Sequence, residues 1–103
     1  MVRKIIWTAL AKQSRREILN YWKNKNSSST YSKKLNQQFG EYVLHLSRFP
    51  NLGKNSGFND IHYLIVDVYK IYYKVIANNI LILLIWDGRR NPDELKRVLL
   101  NLQ

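Results

Sequence analysis

Cysteine is absent from the 103-residue chain. Disulfide frameworks, thiolate metal sites and cysteine nucleophiles are therefore excluded, and a reducing, cytoplasmic setting is the expectation. Histidine is nearly absent: His45 and His62 stand alone, without HxxxH or HExxH spacing, so neither a metal site nor a metal cofactor is expected. Glycine is sparse, and Gly53-Lys54 lacks the glycine spacing of a phosphate loop. Long apolar runs are missing too. The longest, Ile80 to Trp86, is far too short to span a bilayer, so no membrane partner is expected. Acidic residues are few, seven against seventeen Lys and Arg, for a net charge of +10.

What remains is one domain's worth of sequence with 46% hydrophobic residues, enough for a single core. Its charge is uneven. Residues 1–54 hold eleven Lys and Arg against Glu17 and Glu41, whereas residues 55–103 hold six against five acids. Such an excess attracts polyanions or an acidic protein over a Debye length. Arg3-Lys4 followed by Ile5 to Ala11 imitates a short signal peptide, but the apolar stretch is minimal and contains Thr8. It reads better as a strand running into a helix.

The periodicities then divide the chain. Lys4 to Trp7 is rich in strand formers, and Thr8 can cap a helix whose face carries Ala11, Ile18, Leu19 and Trp22. Asn24 to Ser29 breaks that helix. Tyr31, Leu35, Phe39, Tyr42, Leu46 and Phe49 form a second helical stripe that Pro50 closes. Residues 54–60 read as loop. Ile61 to Val66 and Tyr69 to Ile76 read as strands, the second with Ile71, Tyr73 and Val75 on one face and Lys70, Tyr72 and Lys74 on the other. Ala77-Asn78-Asn79 is a hairpin turn. Ile80 to Trp86, apolar throughout, predicts a central strand covered on both faces. Asn91, Pro92 and Glu94 start a last helix, with a capping box possible at Glu94 and an apolar face of Leu95, Val98, Leu99 and Leu102. The order is β-α-α-β-β-β-α, an α+β domain with a helical hairpin packed on a small antiparallel sheet.

Several segments carry a resemblance. They are Ile5-Ile6-Trp7-Thr8 with Ala11, Ile18-Leu19-Asn20-Tyr21-Trp22, Phe49-Pro50-Asn51-Leu52-Gly53, Tyr69-Lys70-Ile71-Tyr72-Tyr73, and Trp86-Asp87-Gly88-Arg89-Arg90-Asn91-Pro92. Together, in order and spacing over nearly the whole chain, they resemble the RelE/ParE toxins of bacterial type II toxin–antitoxin modules. The resemblance implies a growth-inhibiting toxin. One branch of the family cuts messenger RNA on the ribosome, and another poisons DNA gyrase. Each toxin is silenced by an antitoxin whose extended segment wraps it.

Metal-free RNA cleavage needs a proton acceptor for the 2′-hydroxyl, a stabiliser for the phosphorane and a proton donor for the leaving oxygen. The resemblance places Lys70 and Arg90 where messenger-cutting relatives carry a catalytic arginine, and His62 where many carry an arginine. Lys70 departs from the pattern because an ammonium cannot hold phosphate bidentately. His62 can exchange protons near neutral pH. Lys54, Tyr72, Lys74 and Arg89 are the candidate nucleic-acid contacts. Cutting relatives often place a Tyr or His near the chain end, and residues 95–103 contain neither. A ribosome-dependent ribonuclease is thus the first expectation. The alternative is a non-catalytic gyrase inhibitor, or a degenerate toxin that only binds antitoxin and operator. A free RNA-binding domain fits less well, because most aromatics sit at core periodicity.

Overall fold

β-Branched and aromatic alternation between residues 61 and 87 produces three consecutive antiparallel strands, the body of the sheet. The computed structural model describes residues 2–25 and 28–102. Its elements are β1 (Lys4–Trp7), α1 (Ala9–Lys25), α2 (Thr30–Leu46), β2 (Lys54–Asn55), β3 (Ile61–Val66), β4 (Tyr69–Ile76), β5 (Asn79–Asp87) and α3 (Pro92–Asn101). The sheet order is β1-β5-β4-β3-β2, antiparallel except that β1 joins β5 in parallel. The α+β order read from the sequence is the order found, with β2 as an addition inside the expected 54–60 loop. The expected break between the helices includes Asn26 and Ser27, which lie outside the described residues. No helix among those described is long and apolar enough to cross a membrane.

β5 is covered on both faces, as its unbroken apolar run requires. Ile80, Ile82 and Ile85 face the helical hairpin, and Leu83, Leu84 and Trp86 face α3. Two neighbours, Leu83 and Leu84, share a face because the ladder to β4 slips there: Tyr72 pairs with Leu84, but Tyr73 pairs with Ile82. This bulge at Leu83 lets each end of the strand keep its apolar residues inside.

α1 presents Ala11, Ile18, Leu19 and Trp22 to the core as its spacing predicts. α2 buries Leu35, Phe39 and Leu46 as expected, but Val43 replaces Tyr42 as the fourth contact. Positions 42 and 43 lie on either side of the stripe's axis, three and four residues beyond Phe39. Packing gives the inward place to the valine, and Tyr42 stays 41% exposed. Phe49 lies beyond the helix, which ends at Leu46, and is 62% exposed. α3 begins as its sequence dictates, the Asn91 side chain accepting from the Asp93 backbone N–H at 2.9 Å. The capping box does not form; the Glu94 carboxylate instead holds Arg90 at 3.0 Å.

Two side-chain anchors tie the loops and helices to the sheet. Buried Tyr73 donates its hydroxyl to the Pro50 carbonyl and accepts from the Gly53 N–H, each at 2.9 Å. A Cβ at Gly53 would lie 2.5 Å from that hydroxyl and 2.9 Å from the Tyr63 carbonyl, so only glycine fits. Where β1 stops at Trp7, α1 takes over the free edge of β5. The Thr8 backbone N–H and hydroxyl both reach the Ile82 carbonyl, and the hydroxyl also lies 3.0 Å from the Leu83 carbonyl. The Thr8 hydroxyl caps α1 as well, accepting from the Ala11 N–H at 3.1 Å. Ser14 accepts from the Ile85 N–H at 3.0 Å and donates to the Ala11 carbonyl.

Replacing Ser14 with alanine leaves the Ile85 N–H unpaired in a partly buried place. The expected loss is about 1–3 kcal/mol. Thermal melting of Ser14→Ala should show a clear fall in Tm, and a Tm equal to wild type would contradict the edge-completing role.

Candidate functional site

Strand alternation sorts the candidate residues onto two faces of the sheet. Directly paired residues share a face, so the register is decisive. Lys54 pairs with Tyr63, Tyr63 with Tyr72, Lys70 with Ile65 and Trp86, and Lys74 with Ile61 and Leu81. These all belong to the face that carries α3. His62 pairs with Tyr73, the residue facing the helical hairpin, and its ring lies 5.8 Å from the tyrosine ring. His62 therefore sits on the opposite side of the sheet from Lys70.

Lys70 and Arg90 both border Trp86 on one side of the sheet. The Arg90 guanidinium stacks on the Trp86 ring at 4.3 Å, and Trp86 is the cross-strand partner of Lys70. The Lys70 ammonium lies over Tyr63 at 5.1 Å. Both cations are held by aromatic faces, whose negative quadrupole attracts them. Arg90 is exposed and also pairs with Glu94, one helical turn ahead. Neither aromatic platform was singled out from the sequence as a contact. The signal was an indole at the end of an apolar strand, separated from two arginines only by Asp87 and Gly88.

The other candidates take different positions. Lys54 is exposed on the two-residue β2, and Lys74 is half-buried. Tyr72, expected to touch nucleic acid, is a core residue at 3% exposure, packed with Leu83, Leu84, Leu95 and Leu99. α3 lies over the face that the sequence alone marked as polar. Burial, and then Tyr63 beside it, pushes the Tyr72 hydroxyl up to about 12, so at neutral pH it keeps its proton. Arg89 turns back onto Asp87, with Nε at 3.0 Å and Nη2 at 2.8 Å from the two carboxylate oxygens. This ion pair lines a cleft of about 330 Å³ with Ser14, Glu17, Tyr21 and Tyr69, on the hairpin side. The Gly88 N–H donates to the Val68 carbonyl at 2.8 Å, and a Cβ at Gly88 would meet that oxygen at 2.9 Å. Arg90 lines the same cleft, and the Asp87-Gly88 turn that carries both arginines is thus fixed against the β3–β4 turn.

Residues 5–92 match the family described as the ParE toxin of type II toxin–antitoxin systems, parDE, and the chain belongs to this family of RelE/ParE toxins. Among solved structures it is similar to the chromosomal ParDE toxin–antitoxin system from P. aeruginosa. Identity there is 20% and the TM-score 0.72, over 82% of this chain and 94% of that one. It is also similar to a mutant of the E. coli toxin RelE in the free state, at 14% identity and a TM-score of 0.71, over 99% and 98% of the two chains. At these identities the likeness is one of fold. Among curated proteins none matches the sequence at a significant level.

Two measurements test this geometry. Lys70→Ala and Arg90→Ala should both stay folded, losing about 1 kcal/mol or less, since each contributes a solvent-facing cation to an aromatic ring. A loss of several kcal/mol in urea melts would show that one of them is structural. The second concerns Asp87, which hydrogen bonds from Arg89 hold below the ordinary carboxylate range. A lowered folded-state pKa means that the contribution is present above the unfolded value, about 3.9, and is lost as pH falls through the folded value. Arg89 is largely exposed, so the effect is small. Asp87→Asn should therefore flatten part of the fall in Tm on acidification below about pH 4; an unchanged acid limb would argue against the pair.

Proposed function

We propose that this toxin arrests growth by binding its target rather than by cutting RNA. The target is DNA gyrase in the cytoplasm, and a cognate antitoxin neutralises the toxin. The observation that supports this reading is the separation of the catalytic candidates. His62 lies across the sheet from Lys70 and Arg90, and Tyr72 is buried and protonated. Neither His62 nor Tyr72 stands free beside Lys70 and Arg90 to take the 2′-hydroxyl proton, a requirement of metal-free cleavage, and the carboxylate that does lie there, Glu94, is paired with Arg90. The rest of that face is a cationic and aromatic surface of Lys54, Tyr63, Lys70, Trp86 and Arg90, suited to contact.

A second reading keeps one observation in its favour: Lys70 and Arg90 both border Trp86 on one side of the sheet. Under it, the toxin cuts messenger RNA on the ribosome, and the ribosome or the message supplies the missing proton transfers.

The antitoxin follows from charge and family. A +10 domain favours fast, steered association with an acidic segment. The two readings part in one experiment. The chain is induced in cells, message integrity is followed by primer extension, and gyrase–DNA breaks are scored in the same cultures. Growth arrest with intact message and accumulated breaks is expected, reversed when the neighbouring reading frame is co-expressed. Codon-linked cleavage that disappears in Lys70→Ala and Arg90→Ala would overturn the binding mechanism in favour of the ribonuclease.

A further inference from the structure

A cleft of about 450 Å³ opens along the helical hairpin. Lys12, Arg15, Arg16 and Asn20 line it from α1, Asn36 from α2, and Trp7 from the end of β1. Lys12, Arg16 and Asn20 follow one another at steps of four, so they form one row along the helix, each about 6 Å beyond the last. Lys12 and Arg16 are exposed and form no ion pair among the described residues. The two acids of the hairpin do not answer them. Glu17 lines the cleft of Asp87 and Arg89, and Glu41 accepts from Gln37 one turn away on α2.

Arg15 is held in place within this cleft. Its guanidinium stacks on the Trp7 ring at 4.6 Å, its Nε donates to Asn36 Oδ1 at 2.9 Å, and its Nη2 donates to the Asn36 carbonyl at 3.0 Å. Two of its five N–H groups are used this way, and the other three have no protein partner among the described residues. Burial draws the guanidinium below its usual range, and no carboxylate among the described residues pairs with it to offset that cost. A half-buried, immobilised cation with its charge unanswered, beside two exposed cations, is a site for an anion.

We propose that this row is a contact surface for double-stranded DNA, with Arg15 holding one backbone phosphate and Lys12 and Arg16 its neighbours. The composition of the cleft selects nucleic acid over a protein partner. Protein interfaces are built on aromatic or apolar anchors and are depleted in lysine. Here the exposed lining is Lys12, Arg16, Asn20 and Asn36, and the apolar members, Trp7 and Leu19, are half-buried. Cations and side-chain amides are the groups that hold phosphate oxygens. The duplex is selected over a single strand because single strands are held by bases stacked on open aromatic rings, and the one aromatic ring in this cleft carries Arg15. The surface does not depend on the gyrase reading, since bare DNA and the free chain suffice to show it.

The test is fluorescence anisotropy of a short labelled duplex of arbitrary sequence, titrated with the purified full chain over a range of salt concentrations. The wild-type chain should bind saturably, with affinity that falls as salt rises. Lys12→Ala and Arg16→Ala should keep the wild-type Tm, because both side chains are exposed. Each should weaken binding about tenfold at about 50 mM salt and lower the salt slope by about 0.9, the value of one lost phosphate contact. Arg15→Lys keeps the charge but loses the fork that engages Asn36, and it should weaken binding as well. The double change Lys96→Ala with Arg97→Ala removes two exposed cations from α3 and should leave affinity as in wild type. An equal loss in that α3 variant, or wild-type affinity in Arg15→Lys, would reduce the effect to net charge and overturn the proposal. So would wild-type affinity in Lys12→Ala or Arg16→Ala, or no binding of the duplex at low salt. Tighter binding of a single-stranded RNA of the same length, or of polyglutamate at equal charge, would overturn it in favour of a different occupant.

Discussion

β5 is the strand on which every layer of this molecule meets, and its free edge is the constraint the rest obeys. β1 pairs with it over four residues, up to Trp7 and Ile82. Beyond that point its backbone groups would be left without a strand neighbour, and buried backbone groups must be paired. The chain meets this demand by turning from strand to helix at Thr8 and continuing the edge with hydroxyls. Thr8 takes up the Ile82 carbonyl, and Ser14 satisfies the Ile85 N–H. α1 is consequently pinned to the sheet by polar bonds as well as by Ala11 and Ile18. α2 follows it through Ser32, which donates to the Leu19 carbonyl at 3.0 Å, and through Arg15, bonded to Asn36. The position of the whole helical hairpin thus traces to the point where β1 ends.

The same strand divides the protein into two surfaces of different character. Toward the hairpin it contributes Ile80, Ile82 and Ile85 to a core with Phe39, Tyr69 and Tyr73. Toward α3 the bulge at Leu83 turns Leu83, Leu84 and Trp86 outward to meet Leu95 and Leu99. The cations sort with the strands that bear them. Lys54, Lys70 and Lys74 fall on the α3 face, with Arg90 at its rim, and Arg89 is drawn back to Asp87 on the hairpin side. A basic toxin organised this way has two unlike surfaces. One is cationic and aromatic around Trp86. The other is apolar at Phe49 and Leu52.

Much of this was legible in the sequence, wherever a local rule had only one solution. Ile80 to Trp86 could not be anything but a strand covered twice. Asn91-Pro92 could hardly avoid starting a helix, and Leu95, Val98, Leu99 and Leu102 fixed its inward face. Lys70, Tyr72 and Lys74 share a face, as period two requires. The order and spacing of these pieces resemble the RelE/ParE toxins, and the match over residues 5–92 places the chain in that family. Charge asymmetry, the lack of thiols and the lack of a metal motif were equally plain.

Tertiary structure decided what depends on which element covers which. Tyr72 alternates with Lys70 and Lys74 and reads as polar until α3 folds over it, because the period of a strand names a face without saying what lies on top. His62 resembles a catalytic partner in sequence, but its separation from Lys70 follows from a register set by the tight turn at Asp67 and Val68. A shift of one residue there would have moved His62 to the other side. Tyr42 and Val43 compete for one inward position, and only the sheet beneath α2 chooses between them. Glu94 left the capping box for Arg90 because the β5 exit brings the guanidinium within reach. Composition and periodicity determined that this is a basic α+β domain, since both act along the chain. Which charged groups meet is a matter of distance across the sheet, fixed only when the strands pair and the helices close over them.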